Sequence, residues 1–260
     1  MKRTALITGA SSGFGEKFAE IFAKDGYNLV LVARNTYKLN QQKRFLENKY
    51  GVKVKIFIQD LSQQNSAKNV FDFTQQNDIH IDILVNNAGF GDLSRFDSCD
   101  IQKQVDMINL NVTTLVQLTY FYLKPMKEKG YGKIMNIASI AGFTSGPLMS
   151  VYYASKAFVL HFSDAIATEL KDTSVTVTAV CPGPVRTEFF NRAGFKNQKD
   201  FNIFGIDCGK KVCEYAYQEM LKGKTVVVPG VINKIGAVAC KFAPRKITKN
   251  VVYMVQKSRL

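Results

Sequence analysis

The chain has 260 residues, 46% hydrophobic and 22% charged, enough apolar content for one sizeable core in a single domain spanning residues 1–260. Its 35 Lys and Arg against 21 Asp and Glu give +14, a balance open to nucleic acid, an anionic membrane surface or anionic substrates; the basic residues are dispersed and lack any helix-turn-helix, zinc-finger or RNP-type pattern, so a solvated basic surface and no nucleic-acid partner are expected. No apolar run approaches the ~18 residues of a membrane span, the apolar run after Met-Lys-Arg is too short for a signal peptide, and five scattered cysteines without a C-x-x-C pair suggest neither a disulfide framework nor a zinc site.

A cytoplasmic protein without stable membrane insertion is the resulting expectation. The C-terminal Ser258-Arg259-Leu260 stands near the peroxisomal Ser-Lys-Leu signal and keeps that compartment as an alternative.

The first element sets the pattern. Ala5-Leu6-Ile7 is a short apolar run fit for a buried parallel strand. Gly9, Gly13 and Gly15 then punctuate a turn into a segment with apolar residues at helical spacing, Phe18, Ala19, Ile21 and Phe22. Strand, glycine turn and helix together favour an anion: the glycines let backbone approach a phosphate, and the helix N-terminus offers unpaired N–H groups and a positive dipole end. The spacing is G-x-x-x-G-x-G rather than G-x-G-x-x-G.

Asn28 to Ala33 reads as a second buried strand with Arg34 at its carboxyl end and Lys38 in the next turn. In a dinucleotide fold an acidic residue ~20 positions after the glycines would bond a ribose 2′-hydroxyl, whereas arginine accommodates a 2′-phosphate. Arg34 and Lys38, with hydroxyls from Ser11 and Ser12, therefore point to NADP(H). Residues 36–50 form a polar-faced helix ending at Gly51, and Val52 to Ile58 alternates as a third strand. Asp60-Leu61 closes that strand, and Ser62 is expected to cap a helix running to Gln75. Ile81 to Val85 is the fourth strand, followed by Asn86-Asn87-Ala88-Gly89. Short strands alternating with helices of ~10–15 residues predict a doubly wound parallel sheet with helices on both faces.

Thr8-Gly9-Ala10-Ser11-Ser12-Gly13-Phe14-Gly15 together with Asn86-Asn87-Ala88-Gly89 resembles the short-chain dehydrogenase/reductase family, and the likeness runs to about residue 190. It implies a Rossmann-type α/β fold of about seven strands. It places a cofactor against Gly9, Ser11, Ser12, Gly13, Phe14 and Gly15, with Asp60 and Leu61 near the adenine. Asn87, Ala88 and Gly89 line the next strand end, and Asn86 stabilises the sheet or also approaches the cofactor. Arg34 resembles the NADP-preferring members, although Ser12 stands where many of these carry a basic residue.

Residues 100–129 read as largely helical, interrupted near Asn109-Leu110-Asn111. An asparagine buried there needs partners; the resemblance gives Asn111 the role of distorting the helix and holding a water near a catalytic lysine. Lys133 to Ala138 is the fifth strand, with Ser139 at its carboxyl end. Tyr152-Tyr153-Ala154-Ser155-Lys156 opens a helix through Leu170. Tyr152 and Lys156, at i and i+4, share a helix face. A nearby ammonium stabilises a phenolate and lowers its pKa, and a serine hydroxyl can bond a substrate carbonyl. These are parts for hydride transfer with proton donation.

The resemblance assigns Asn111, Ser139, Tyr152 and Lys156 as the catalytic set, with Tyr152 and Lys156 also beside the cofactor. Tyr153 could reach the same face; the motif selects Tyr152.

Val175 to Cys181 is the sixth strand, leading into Pro182-Gly183-Pro184-Val185-Arg186-Thr187. By resemblance this loop, through Pro182, Gly183, Val185 and Thr187, lies over the nicotinamide. Residues 188–206 hold Phe189, Phe190, Phe195, Phe201 and Phe204 and are expected to form a substrate lid. Residues 210–221 are a helix and 225–228 a seventh strand. Residues 231–260 form an amphipathic and basic extension, with Val231, Ile235, Val238 and Phe242 on one stripe and Arg245, Lys246, Lys249, Lys257 and Arg259 beyond Pro244. That tail could touch a membrane surface, close the active site or pack in an oligomer, and packing is favoured.

The activity implied is NADP(H)-dependent reduction of a ketone or aldehyde, with a bulky apolar or 3-ketoacyl substrate, by a homodimer or homotetramer. The alternative is a catalytically silent NADP-binding sensor or scaffold.

Overall fold

The computed structural model describes residues 2–185, 189, 193–195 and 209–259. Seven strands form one parallel sheet in the order β3-β2-β1-β4-β5-β6-β7. They are β1 (Thr4–Thr8), β2 (Asn28–Ala33), β3 (Val54–Ile58), β4 (Ile83–Asn86), β5 (Gly132–Ile137), β6 (Val175–Val180) and β7 (Val226–Val227). The chain winds outward through β2 and β3, then reverses through β4 to β7. β1 and β4 thus flank the switch point, where the crossovers diverge and leave a crevice at the carboxyl strand ends.

Burial on both faces follows from the strand period. Ala5 and Ile7 face one layer with Leu29, Leu31 and Val85. There they meet Phe18 and Phe22 of α1 (Gly13–Lys24), Leu39 and Leu46 of α2 (Thr36–Tyr50), and Tyr217 of α7 (Gly209–Leu221). Leu6, Val30, Val32 and Leu84 face the other way, against Ala67 and Val70 of α3 (Ser66–Gln76) and Leu118 and Tyr122 of α5 (Thr114–Lys129). A one-residue slip in any of these strands would exchange the two layers, so the apolar runs fix the register.

The helix boundaries have local causes. Asn35 accepts a bond from the Lys38 amide at 2.9 Å as the cap of α2, and Gly51 ends it with φ of 62°. The third helix corrects the sequence expectation: Ser62 does not cap it. The Ser62 amide and hydroxyl both bond Asp60 Oδ1, at 3.0 and 2.7 Å, holding a turn. The helix begins four residues later, at Ser66, after Asn65.

α4 (Ile101–Ile108) passes through a π-helical turn, Asn109–Thr113, into α5. The interruption expected near Asn109-Leu110-Asn111 is therefore a wider turn, in which the i→i+5 pattern accommodates an extra residue. α6 (Ser150–Glu169) packs against β6, and α8 (Val231–Phe242) and α9 (Arg245–Lys257) close the chain. No helix among the described residues is long and apolar enough to cross a membrane.

A buried polar chain links the sheet to α5 and α6. Asn86 Nδ2 donates to Asn136 Oδ1 at 2.9 Å and to Thr119 Oγ1 at 3.2 Å, and Asn136 Nδ2 donates to Ser163 Oγ at 2.9 Å. Of the two roles open to Asn86, its contacts are those of the sheet-stabilising one. Asn136 is fully buried, so its removal strands the Asn86 amide away from water. Asn136→Ala is expected to lower unfolding free energy by about 2–3 kcal/mol in urea denaturation; an unchanged midpoint would show that water replaces the lost partner.

Candidate active site

The β1–α1 turn is drawn tightly against the end of β4. Thr8 Oγ1 accepts from the Asn87 and Ala88 amides at 2.9 and 3.0 Å, while Asn87 Nδ2 donates to the Thr8 carbonyl at 2.8 Å. This leaves no room for side chains. A Cβ on Gly9 would lie 2.9 Å from the Ala88 Cα, and one on Gly15 only 2.3 Å from the Gly9 carbonyl oxygen. Gly9 and Gly13 have φ of 64° and 60°, values natural to glycine. No side chain caps the first turn of α1, so the leading N–H groups of that helix keep their donor capacity.

A cavity of about 1100 Å³ opens at the carboxyl ends of the strands. One end is the glycine turn, with Gly9, Ser11, Ser12, Gly13 and Phe14 in its wall, continued by Arg34, Asp60 and Leu61. Arg34 pairs with Asp60 Oδ2 at 3.3 Å and its side chain stays 66% exposed, leaving guanidinium donors available to a further anion. Burial pushes the Asp60 carboxyl up, but the Ser62 hydrogen bonds and the Arg34 charge outweigh it and hold its pKa below the ordinary value. The middle of the cavity is lined by Asn87, Ala88, Gly89, Pro182, Gly183 and Val185.

Three of the expected site residues stand outside the lining. Gly15 lies behind the turn and Asn111 behind Gly89; Lys38 sits in the first turn of α2. Thr187 lies outside the described residues.

Ser139, Tyr152 and Lys156 share one wall. Ser139 follows β5, and its Oγ accepts from the Ala141 amide at 3.1 Å, which fixes the hydroxyl. Lys156 is buried, and its Nζ donates to the Ile137 carbonyl at 2.7 Å while lying 5.9 Å from the Tyr152 ring centroid. The electrostatics of the pair follow from burial. Burial raises the Tyr152 pKa, opposed by a hydrogen bond with Ser139. The lysine bears the opposite consequence: burial pushes its pKa down to about 8. Without an anion beside them, the phenol is held neutral and the ammonium is destabilised.

Asn111 is buried within the π-helical turn. It donates to the Phe90 carbonyl at 3.0 Å and to Ser155 Oγ at 3.1 Å, and accepts from the Phe90 amide at 3.2 Å. A Cβ on Gly89 would stand 2.9 Å from Asn111 Oδ1 and 3.5 Å from Lys156 Nζ. Asn111 is thus one glycine's width from the lysine. Tyr153 resolves differently from its neighbour: its hydroxyl accepts from Gln256 Nε2 of α9 at 3.1 Å.

The far end of the cavity is apolar. Met149, Phe189 and Phe195 line it, with Phe189 5.2 Å from Tyr152 between ring centroids. Phe190, Phe201 and Phe204, with most of the expected lid, lie outside the described residues. Val251, Val252, Val255 and Gln256 of α9 complete this wall, so of the roles open to the C-terminal tail this helix takes the one beside the site, whereas packing in an oligomer was favoured. Its signal was present in the apolar residues recurring three and four apart beyond Pro244.

The low pKa of Lys156 has a stability consequence. The unfolded chain binds this proton up to about pH 10.5 and the folded chain only to about pH 8. Burial of the cation therefore costs stability below pH 8, and the cost fades as pH rises to 10.5. Lys156→Met is expected to raise the melting temperature at neutral pH, with a gain on the order of 3 kcal/mol that disappears toward pH 10.5. A gain independent of pH would locate the effect in packing alone.

Residues 3–198 match the family model described as short chain dehydrogenase. Among curated proteins, the very-long-chain 3-oxoacyl-CoA reductase of Anas platyrhynchos is 34% identical over 190 residues, 71% of this chain and 60% of that protein's length. Among solved structures, a short-chain dehydrogenase from Sphingobium yanoikuyae in complex with NADPH is 33% identical, covering 91% of this chain and 92% of that one with a TM-score of 0.82. A structure described for 7beta-hydroxysteroid dehydrogenase stereoselectivity is 26% identical, covers 96% of each chain and has a TM-score of 0.87. Glycine turn, sheet order and the family match over residues 3–198 converge, and the chain is a member of the short-chain dehydrogenase/reductase family of oxidoreductases.

Proposed function

We propose that this protein is an NADP(H)-dependent reductase of a bulky, apolar ketone or aldehyde, acting reversibly. The observation that carries the proposal is the single cavity in which Ser139, Tyr152 and Lys156 form one wall and the glycine turn forms the other end. The cradle fits a dinucleotide: Gly9 and Gly15 make backbone contacts too close for any side chain, and α1 presents uncapped amides to the cavity. Gly9, Ser11, Ser12, Gly13 and Phe14 would hold the pyrophosphate end, Asp60 and Leu61 the adenine, and Pro182, Gly183 and Val185 the nicotinamide end. Thr187 and Lys38 are carried in the same proposal from sequence. Arg34, at the end of β2 and two-thirds exposed, supports the 2′-phosphate form. The complex of the Sphingobium relative with NADPH favours the same choice.

When bound, the nicotinamide supplies or accepts the hydride. The protein's own part is to hold the carbonyl and move a proton. Ser139, fixed by the Ala141 amide, donates a hydrogen bond to the carbonyl oxygen. Tyr152 gives its phenolic proton to that oxygen as it gains charge. Lys156 then stabilises the phenolate, which restores the charge partner that the buried ammonium lacks. Asn111, held by the Phe90 backbone and Ser155, positions the groups behind Lys156 for proton return.

Met149, Phe189, Phe195 and the valines of α9 exclude water from the substrate end and select apolar bulk. The names of the relatives, a very-long-chain 3-oxoacyl-CoA reductase and a hydroxysteroid dehydrogenase, describe substrates of that kind. The exposed Ile101, Val105, Ile108, Tyr120 and Phe158 on α4 to α6 support a homo-oligomer formed through those helices.

Turnover with diacetyl, a 3-oxoacyl thioester and a 7-oxosteroid is the test. Tyr152→Phe is expected to lower kcat by roughly 10²–10⁴-fold with NADPH affinity kept; retained turnover overturns the acid assignment, and NADPH binding by wild type without turnover on any carbonyl supports the sensor reading. Arg34→Asp should weaken NADPH binding by roughly 10–100-fold and spare NADH. Equal losses for both cofactors would contradict the phosphate role of Arg34.

A further inference from the structure

The stripe formed by Val231, Ile235, Val238 and Phe242 does not pack inward. These residues are 72%, 64%, 55% and 84% exposed, whereas Asn233 and Ala237 on the opposite side of α8 are buried. The next helix repeats the arrangement. Ile247, Val251 and Met254 of α9 recur at i, i+4 and i+7 and are all exposed, Val251 at the rim where it also lines the cavity, while Gln256 is buried against Tyr153. Two consecutive helices thus present apolar stripes to solvent, an arrangement a soluble surface helix inverts.

The charges beside the stripes decide what covers them. Lys234, Lys241, Arg245, Lys246, Lys249 and Lys257 lie on these two helices or their junction, and no Asp or Glu occurs anywhere from 231 to 260. A second copy placed symmetrically on this face would set basic residues against basic residues with no acidic partner on either side. An anionic lipid surface satisfies both features, taking the apolar stripe into the acyl boundary and the Lys and Arg heads among the phosphates.

We propose that α8 and α9 are an interfacial docking surface that seats the protein peripherally on anionic membranes. α9 also forms part of the cavity wall through Val252, Val255 and Gln256. The docked orientation therefore sets the cavity beside the lipid. Neither helix crosses the bilayer in this arrangement; each lies in its plane.

The test is flotation of the purified full-length chain with vesicles of phosphatidylcholine, alone or mixed with phosphatidylserine. Binding is expected to the mixed vesicles at low salt, to fall steeply as salt is added, and to be absent with phosphatidylcholine alone. Ile235→Ser with Phe242→Ser should abolish flotation without lowering the melting temperature, since both side chains face solvent. Lys241→Gln with Lys246→Gln should weaken binding about fivefold per charge removed, whereas Lys124→Gln with Lys127→Gln on α5 should have little effect. Three results would each overturn the proposal: no flotation with anionic vesicles at low salt, equal losses for the two lysine pairs, or binding insensitive to the serine variant. Conversion of a dimer to a monomer by the serine variant, without vesicle binding, would assign the face to a second copy.

Discussion

A lysine ammonium buried beside a tyrosine, with a backbone carbonyl as its fixed partner, is the constraint on which the site depends. Lys156 Nζ reaches the Ile137 carbonyl where β5 ends, so the charge is anchored to the sheet rather than to a carboxylate. A carboxylate there would hold the pKa high and satisfy the charge permanently. The carbonyl leaves the ammonium underpaired, with its pKa down to about 8. In the proposed mechanism the anion that completes this pair forms only during reaction, as the phenolate or the alkoxide-like oxygen beside it.

The surrounding fold serves that arrangement. The π-helical turn after α4 places Asn111 against the Phe90 backbone and Ser155, fixing the segment behind Gly89. Thr8 and Asn87 bind the β1 turn to the β4 loop, which fixes the distance from the glycine cradle to the Ser139–Tyr152–Lys156 wall. Asn86 and Asn136 connect the same strand ends to α5 and α6 through buried amides. Polar groups in the middle of the sheet are costly when unpaired, and the bonds made by both amide nitrogens and by Asn136 Oδ1 tie this part of the molecule together.

Much of this was legible in the sequence because it rests on local chemistry. The glycine turn, the strand runs and the Tyr152–Lys156 spacing each report a constraint within a few residues, and the observed sheet matches the doubly wound expectation. Failures arose where a competing local bond or a distant partner decides. Ser62 has the composition of a helix cap, but Asp60 captures both its amide and hydroxyl, delaying α3 to Ser66. Burial of the Tyr152 phenol and the bond from Lys156 to the Ile137 carbonyl depend on residues far along the chain, so spacing alone did not convey them. The apolar spacing of residues 231–242 correctly marked a helix with one apolar side. It could not say which side faces the protein, because Asn233 and Ala237, the buried residues, are the less apolar members. The same limitation left open which of its alternatives α9 takes, and it lies in the cavity wall.

The central claim is that hydride passes to a carbonyl carbon at the Ser139–Tyr152–Lys156 wall. Its most direct test is label transfer from NADPH carrying deuterium on one face of nicotinamide C4, with a bulky ketone from the same panel as acceptor. The account predicts deuterium on the carbinol carbon of the product from one C4 face alone, and loss of that transfer in Tyr152→Phe. Bound NADPH that transfers no deuterium to any carbonyl would contradict it.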